Sequence, residues 1–473
     1  MIKYVPLEIK SLESYDAIEK HIPSELYDSR VIDSLKENIG TKCDRIVIEY
    51  PYYDSDYLST YYGHYSQKFR KYVKECCRLH LEHGEQYYGY ITLRPTIGTT
   101  KIGKSYLDPR LFVKDKAYLM CSEFTAHVHG QDMNVKCFPW KKQQTDVTCC
   151  AHTATWTILR YYGNKYKNYS DTTIGSLVEK VKDNSGRKTP TKGLTPIQVS
   201  ELFKTYEFSP LIIDNSKEGN LFLEEIISYI ESGIPMVGFI APEKHAISII
   251  GHGKVNYNTL NDTDLFRDSR IVSHACLISS VYVMDDRYFP YREVPSLLPD
   301  QNSDVHYSLS QIRYVVIPLY KRMQLVYRDV YEKLQQWLEE NRMKWEKKCI
   351  YRIYITSSNS LKRITMSSSE EPQMPQELKE IIIKTSLPRF VWCVDLAGTE
   401  NYRNNLTSGR IIIDSTSASL EPDPWIIRHD SEKIEFKDYD TDANVIQTKK
   451  CRINPYKMYI NNLDNIDGIY NQG

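Results

Sequence analysis

Cys150 stands six positions after Gln144 and opens a run in which Ala151, Ala154, Ile158 and Tyr162 recur at three- and four-residue spacing. That spacing predicts a helix with one buried face, and Gly163 reads as its stop. A thiol at the first turn of a helix could carry out nucleophilic acyl transfer. Cysteine attacks as the thiolate, and a free thiol with a pKa of about 8.5 holds little thiolate at neutral pH. The positive end of a helix and a neighbouring imidazolium both favour the anion. Unpaired backbone amides at the same helix end, with the side-chain amide of Gln144, could stabilise a tetrahedral oxyanion. Cys149 competes as nucleophile, but the Gln144 offset and the Gly163 stop both favour Cys150.

A general base must be delivered from elsewhere. His245 begins an apolar run that continues to Ile250, directly after the loop residues 241–244. This puts an imidazole at a strand end beside a connection. Asp285 follows the β-forming run 281–284 in the same way. If the two strands pair antiparallel, the start of one meets the end of the other, and Asp285 can orient the His245 ring. Asp286 competes with Asp285, because alternation does not decide which residue ends the strand. His152 lies two positions past Cys150, where a helix turns it away from the thiol, and reads as packing or hydrogen bonding. His252 would face the other side of a continued strand and reads as structural.

These residues, in this order, are similar to papain-like cysteine peptidases. They most resemble the bacterial branch related to the peptidase domain of bacteriocin-processing ABC transporters. The resemblance is carried by Gln144, Cys150, the Tyr161-Tyr162-Gly163 helix end, Gly193-Leu194, Gly233-Ile234-Pro235, His245 and Asp285. It implies a thiolate–imidazolium pair of Cys150 and His245, with Gln144 in the oxyanion hole and Asp285 as orienter. Two departures stand out: Ala151 replaces the glycine usual after the cysteine, and His245 and Asp285 are 40 residues apart, with 253–275 as an apparent insertion.

The elements that must position this site fall in three stretches. Residues 1–138 mix strands (45–50, 88–94) with a helix expected over 68–83. Residues 139–300 carry helices first, including one capped by Thr195 with Pro196 at its first position and one over 221–231, then strands at 234–240, 245–250 and 280–284. Residues 301–473 begin with a strand over 314–319 and a long helix over 321–347, with Val326, Val330, Leu334 and Trp337 on one stripe. Strands follow at 350–355, 390–394 and 410–414, and 367–375 reads as an exposed loop. The expected fold is α+β: a central papain-like domain over 139–300, its helix carrying the cysteine and its antiparallel sheet carrying histidine and aspartate. Two α+β domains, 1–138 and 301–473, flank it.

Bulk properties narrow the function classes. At 473 residues the chain exceeds one ordinary core. Lys plus Arg and Asp plus Glu both total 61, so no broad field attracts nucleic acid or an acidic membrane. The 38 tyrosines suit half-buried strands. No apolar run approaches the roughly 20 residues that span a bilayer, and the start has no apolar core of signal-peptide length. The 11 scattered cysteines suggest reduced thiols in a cytoplasm. Cys121, His127, His129 and Cys137 lack the close Cys pair of a structural zinc site and read as scattered strand and loop residues. Gly98, Gly103 and Gly130 form no phosphate loop. The expectation is a cysteine peptidase acting on a polypeptide, with no metal or cofactor. The flanking domains would select the substrate or restrain the site until a regulatory protein binds. An acyltransferase of transglutaminase type, or a non-catalytic protein-binding module, are the alternatives.

Overall fold

Runs rich in Val, Ile and Tyr build three large sheets covered by helices, in an α+β molecule. The computed structural model describes residues 2–98, 100–181, 193–217, 221–241, 243–262, 264–266, 271–296, 307–340, 348–367, 371–437, 445–459 and 463–469. A six-stranded antiparallel sheet comes first, in the order Lys3–Glu8, Arg45–Tyr52, Cys76–His83, Gln86–Leu93, Ile102–Leu107 and Pro139–Trp140. The helix expected over 68–83 is absent. Residues 68–75 are irregular and Cys76–His83 is an inner strand. All but its last residue are buried, so both faces are covered and the period-two alternation that marks a strand is lost.

The second sheet holds the strands that matter for the site. Its main path runs Phe208–Asp214, Ile312–Tyr320, Met236–Ile240, His245–Gly253, Ser280–Met284, Arg292–Pro295. Every pairing is antiparallel. The far end of the His245 strand also pairs with Ala117–Leu119, which in turn pairs with Asp464–Ile466. The third sheet has seven strands, from Ile271–Ser273 through Cys349–Ser357 to Ile446–Lys450. Strand pairing thus crosses both expected boundaries, at 138/139 and at 300/301. The segment between His245 and Asp285 has a place in this arrangement: Ile271–Ser273 leaves the second sheet and runs parallel to Cys349–Ser357 in the third. The 40-residue spacing is spent on that excursion.

Helix Cys150–Lys165 packs on the His245 strand, and eleven of its sixteen residues are buried. The contact includes buried hydroxyls. Thr157 Oγ1 lies 2.8 Å from Ser248 Oγ, and Ser248 Oγ donates to the Ala154 carbonyl at 3.0 Å. Directional bonds of this kind set the phase of the helix on the strand, which apolar contact alone would leave loose. Gly163 does not stop the helix, which continues to Lys165. A Cβ on Gly163 would come within 3.0 Å of Asp171 Cα, so the glycine admits a close chain crossing instead.

Thr195 caps helix Pro196–Thr205, with Gln198 reaching back to the Thr195 amide. Helix Leu221–Glu231 ends before Gly233, whose φ of 72° suits a residue without a Cβ. The long helix expected over 321–347 spans Tyr327–Glu340, and 341–347 lies outside the described residues. Of the expected loop 367–375, Ser367 ends helix Ser358–Ser367 and 368–370 lies outside the described residues. No helix among the described residues is long and apolar enough to cross a membrane.

Candidate active site

Cys149 is extended (φ −115°, ψ 174°) and caps the helix, so Cys150 is its first residue, beside amides that have no intrahelical partner. The Cys150 sulfur accepts a hydrogen bond from the Ala246 N–H at 3.3 Å. His245, which precedes Ala246, heads its strand opposite Ile240. Its Nε2 bonds Asp285 Oδ1 at 2.8 Å, and the charge on the ring is linked to that on Cys150. The thiol is bonded to the strand at the residue after His245 and the imidazole is bonded to the carboxylate, so the three groups meet where the helix start lies against two strand ends.

Asp285 is fully buried and well supplied with donors. It accepts from the Arg287 N–H at 3.0 Å and from the Tyr307 hydroxyl at 2.9 Å. Burial raises its pKa, but the bond to His245 and its charge, with the Arg287 amide and guanidinium, outweigh it and bring the value down to about 2. Burial lowers the His245 pKa, yet the bond to Asp285 and the contact with Cys150 lift it to about 9. Asp286 differs from its neighbour. Its nearer oxygen is 3.8 Å from His245 Nε2, and neither oxygen has a hydrogen-bond partner. Burial pushes its pKa up to about 6. The 2.8 Å bond belongs to Asp285.

The two neighbouring thiols are distinct. The Cys149 side chain and burial hold Cys150 above the ordinary thiol range, while the His245 imidazolium pulls it down. A Cys150 thiolate therefore depends on a charged His245. The Cys149 sulfur lies 3.1 Å from His152 Nδ1, which also accepts the Cys149 N–H at 3.3 Å. Burial lowers the His152 pKa to about 4, so this second imidazole is neutral at neutral pH. His252, seven residues along the strand from His245, bonds Glu231 at 2.9 Å, away from the thiol.

Gln144 is buried. Its Nε2 donates to Thr60 Oγ1 at 3.3 Å, while its Oε1 has no partner. Its backbone opens a tight turn into the helix, accepting from Thr148 N at 2.7 Å and donating to Thr148 Oγ1 at 2.9 Å. Residues 141–143 are held from outside the central stretch. Lys141 pairs with buried Asp56, and the Arg94 guanidinium donates to the carbonyls of Lys142 and Gln143, both at 3.0 Å.

His245, Asp285 and Asp286 have donor atoms within 4.8 Å of one another, the one group among the described residues able to offer a metal three ligands. Asp285 already has His245, Arg287 and Tyr307 on its oxygens, and a metal would have to displace them. Cys121 and Cys137 are buried, whereas His127 is exposed and pairs with Asp132, so these residues form no metal-ligand group.

Residues 133–271 match the family model described as Peptidase_C39 like family. The central region is C39-like. The C39-like segment holds Gln144, Cys150 and His245, covers well under half of the chain, and ends before Asp285. No curated protein matches the chain. Sequence reasoning missed Thr60, Arg94, Arg287 and Tyr307, all outside this segment. Thr60, Arg94 and Tyr307 carry no spacing signal, because each reaches the site through tertiary contact, whereas Arg287 follows Asp285 by two residues and bonds it locally.

Proposed function

We propose that the protein is a cysteine peptidase in which Cys150, His245 and Asp285 act as a triad and Gln144 assists the oxyanion. The observation that carries this is the pair of bonds that meet at the helix start: Ala246 N–H to Cys150 sulfur at 3.3 Å, and the adjacent His245 to Asp285 at 2.8 Å. The match to a peptidase family over the same residues supports it.

On this reading His245 takes the Cys150 proton and the thiolate attacks a peptide carbonyl. Helix amides and the Gln144 amide hold the resulting oxyanion. The imidazolium then protonates the leaving amine, and an acyl thioester remains on Cys150. Water, deprotonated by His245, attacks the thioester; the acid is released and the thiol restored. Asp285 keeps the imidazole oriented and stabilises its charge. The fold around this site is read as a papain-like core flanked by the N- and C-terminal stretches, which would select the polypeptide or receive a regulatory protein.

The test uses the full-length protein, its Cys150→Ala variant and its Cys149→Ala variant, each incubated with a complex peptide mixture and read by mass spectrometry of new termini. Wild type and Cys149→Ala are expected to generate the same new termini, and Cys150→Ala none. Equal termini from Cys150→Ala would overturn the reading. Peptide–amine adducts in place of new carboxyl termini would reassign the reaction to acyl transfer.

A further inference from the structure

Helix Ser55–Gly63 lies in the N-terminal stretch, outside the C39-like segment, yet one of its faces is spent on that segment. Asp56, Ser59 and Thr60 fall at spacings that share a helix face. Asp56 pairs with Lys141 and accepts the Ile174 N–H at 2.7 Å, and Ser59 Oγ accepts the Gly175 N–H at 3.0 Å. A Cβ on Gly175 would come within 2.7 Å of Ser59 Oγ, so this helix docks too closely to admit a side chain there. Thr60, 1% exposed, completes the face by accepting from Gln144 Nε2.

The Thr60 hydroxyl has one hydrogen, which it donates to the Tyr57 carbonyl at 2.9 Å. Toward Gln144 it can therefore only accept. That requirement places the nitrogen of the Gln144 amide, and not its oxygen, against Thr60. The nitrogen carries two hydrogens; Thr60 takes one and leaves the other to donate. The Gln144 oxygen stays buried with no partner, so nothing else on the side chain opposes a flip. Arg94 holds the carbonyls of Lys142 and Gln143 and Asp56 holds the Lys141 side chain, and among the described residues only Thr60 fixes which end of the amide is presented.

We propose that Thr60 is a positioning residue that sets the Gln144 amide for the oxyanion, making the N-terminal helix part of the reaction centre. The proposal rests on the peptidase reading above. Without the hydroxyl, the amide is free to turn its oxygen toward the developing negative charge.

The experiment compares two reactions of the same thiol in the full-length protein. Acylation by p-nitrophenyl acetate passes through a tetrahedral oxyanion, whereas alkylation by iodoacetamide does not. Removing an oxyanion donor outright slows reaction by about 10²- to 10³-fold, so Gln144→Ala sets the scale. Thr60→Val should slow the Cys150-dependent nitrophenolate burst about tenfold while leaving the iodoacetamide rate within about twofold. Thr60→Ser, which keeps the hydroxyl, should acylate as wild type. In the Gln144→Ala background, Thr60→Val should add no further loss, because the two act through one amide. Thr60→Ala provides a second hydroxyl-free variant if the valine does not fit.

A burst unchanged in both hydroxyl-free variants would overturn the positioning role, as would equal slowing of both reactions or an additive loss with Gln144→Ala. A burst that persists in Cys150→Ala would instead contradict the peptidase reading itself, so the two failures are separable.

Discussion

His245 and His252 sit on one strand, and each bonds a buried carboxylate at nearly the same distance, 2.8 Å to Asp285 and 2.9 Å to Glu231. Their surroundings are opposite. Around His252 the polar groups close on one another: Glu231 also accepts from His274 at 3.2 Å and from Arg352, and His274 in turn bonds Tyr402. Burial opposes the Glu231 charge, but Arg352 and the two histidines hold its pKa well below the ordinary range. This hub ties helix Leu221–Glu231 and the His245 strand to the third sheet. Around His245 the network is left open, with a thiol on one side, an Asp286 carboxylate without hydrogen-bond partners on the other, and the unpaired oxygen of Gln144 near the same helix start. A histidine–carboxylate distance therefore identifies nothing by itself. Closed networks fix structure, and open ones leave groups able to meet a substrate.

The comparison breaks most sharply at Arg352. Arg352→Ala leaves Glu231 without its permanent cation and is expected to destabilise the fold by about 3–5 kcal/mol in urea unfolding. At temperatures where the variant stays folded, Cys150 alkylation should match wild type. A loss below about 1 kcal/mol would show that the closed hub is not holding the third sheet in place.

Asp285→Asn should act on the open site and hardly on stability. General-base catalysis is expected to fall about 10²-fold. The raised His245 pKa means that the ion pair is complete below the ordinary histidine value and is lost as pH rises through about 9. The lowered Asp285 pKa means that it is also lost as pH falls toward about 2. In Asp285→Asn the alkaline limb should move down from about 9 toward about 6.5, measured as peptide hydrolysis against pH. Asp286→Asn should leave that limb in place; a shift in Asp286→Asn alone would exchange the roles of the two aspartates.

The smallest effect is expected at Cys149. Its side chain is the largest influence holding Cys150 above the ordinary thiol range. Cys149→Ala should therefore raise the iodoacetamide rate of Cys150 at pH 7 by about threefold. A slower rate would mean that Cys149 assists the thiolate.

Much of the central stretch is legible in the sequence because local signals and tertiary need coincide there. Periodicity after Cys150 marks a helix, and the β-forming runs after His245 and before Asp285 end where the structure brings the two side chains together. Gly163 misleads because one residue type answers two needs: it reads as a stop but serves a close crossing with Asp171. Cys76–His83 misleads because burial of both faces erases alternation. Thr60, Arg94 and Tyr307 carry no local signal at all. Each contributes one polar group to the site from a distant part of the chain, and only the packed sheets bring them within reach.

The most direct test is labelling by a peptidyl acyloxymethyl ketone, a thiolate-directed electrophile, with the modified residue located by mass spectrometry. Wild type should label at Cys150, His245→Ala should label at least about 10²-fold more slowly, and His252→Asn should label at the wild-type rate despite lower stability. Labelling of His245→Ala at the wild-type rate, or modification at Cys149 instead, would contradict the assignment of the open site as the seat of thiol chemistry.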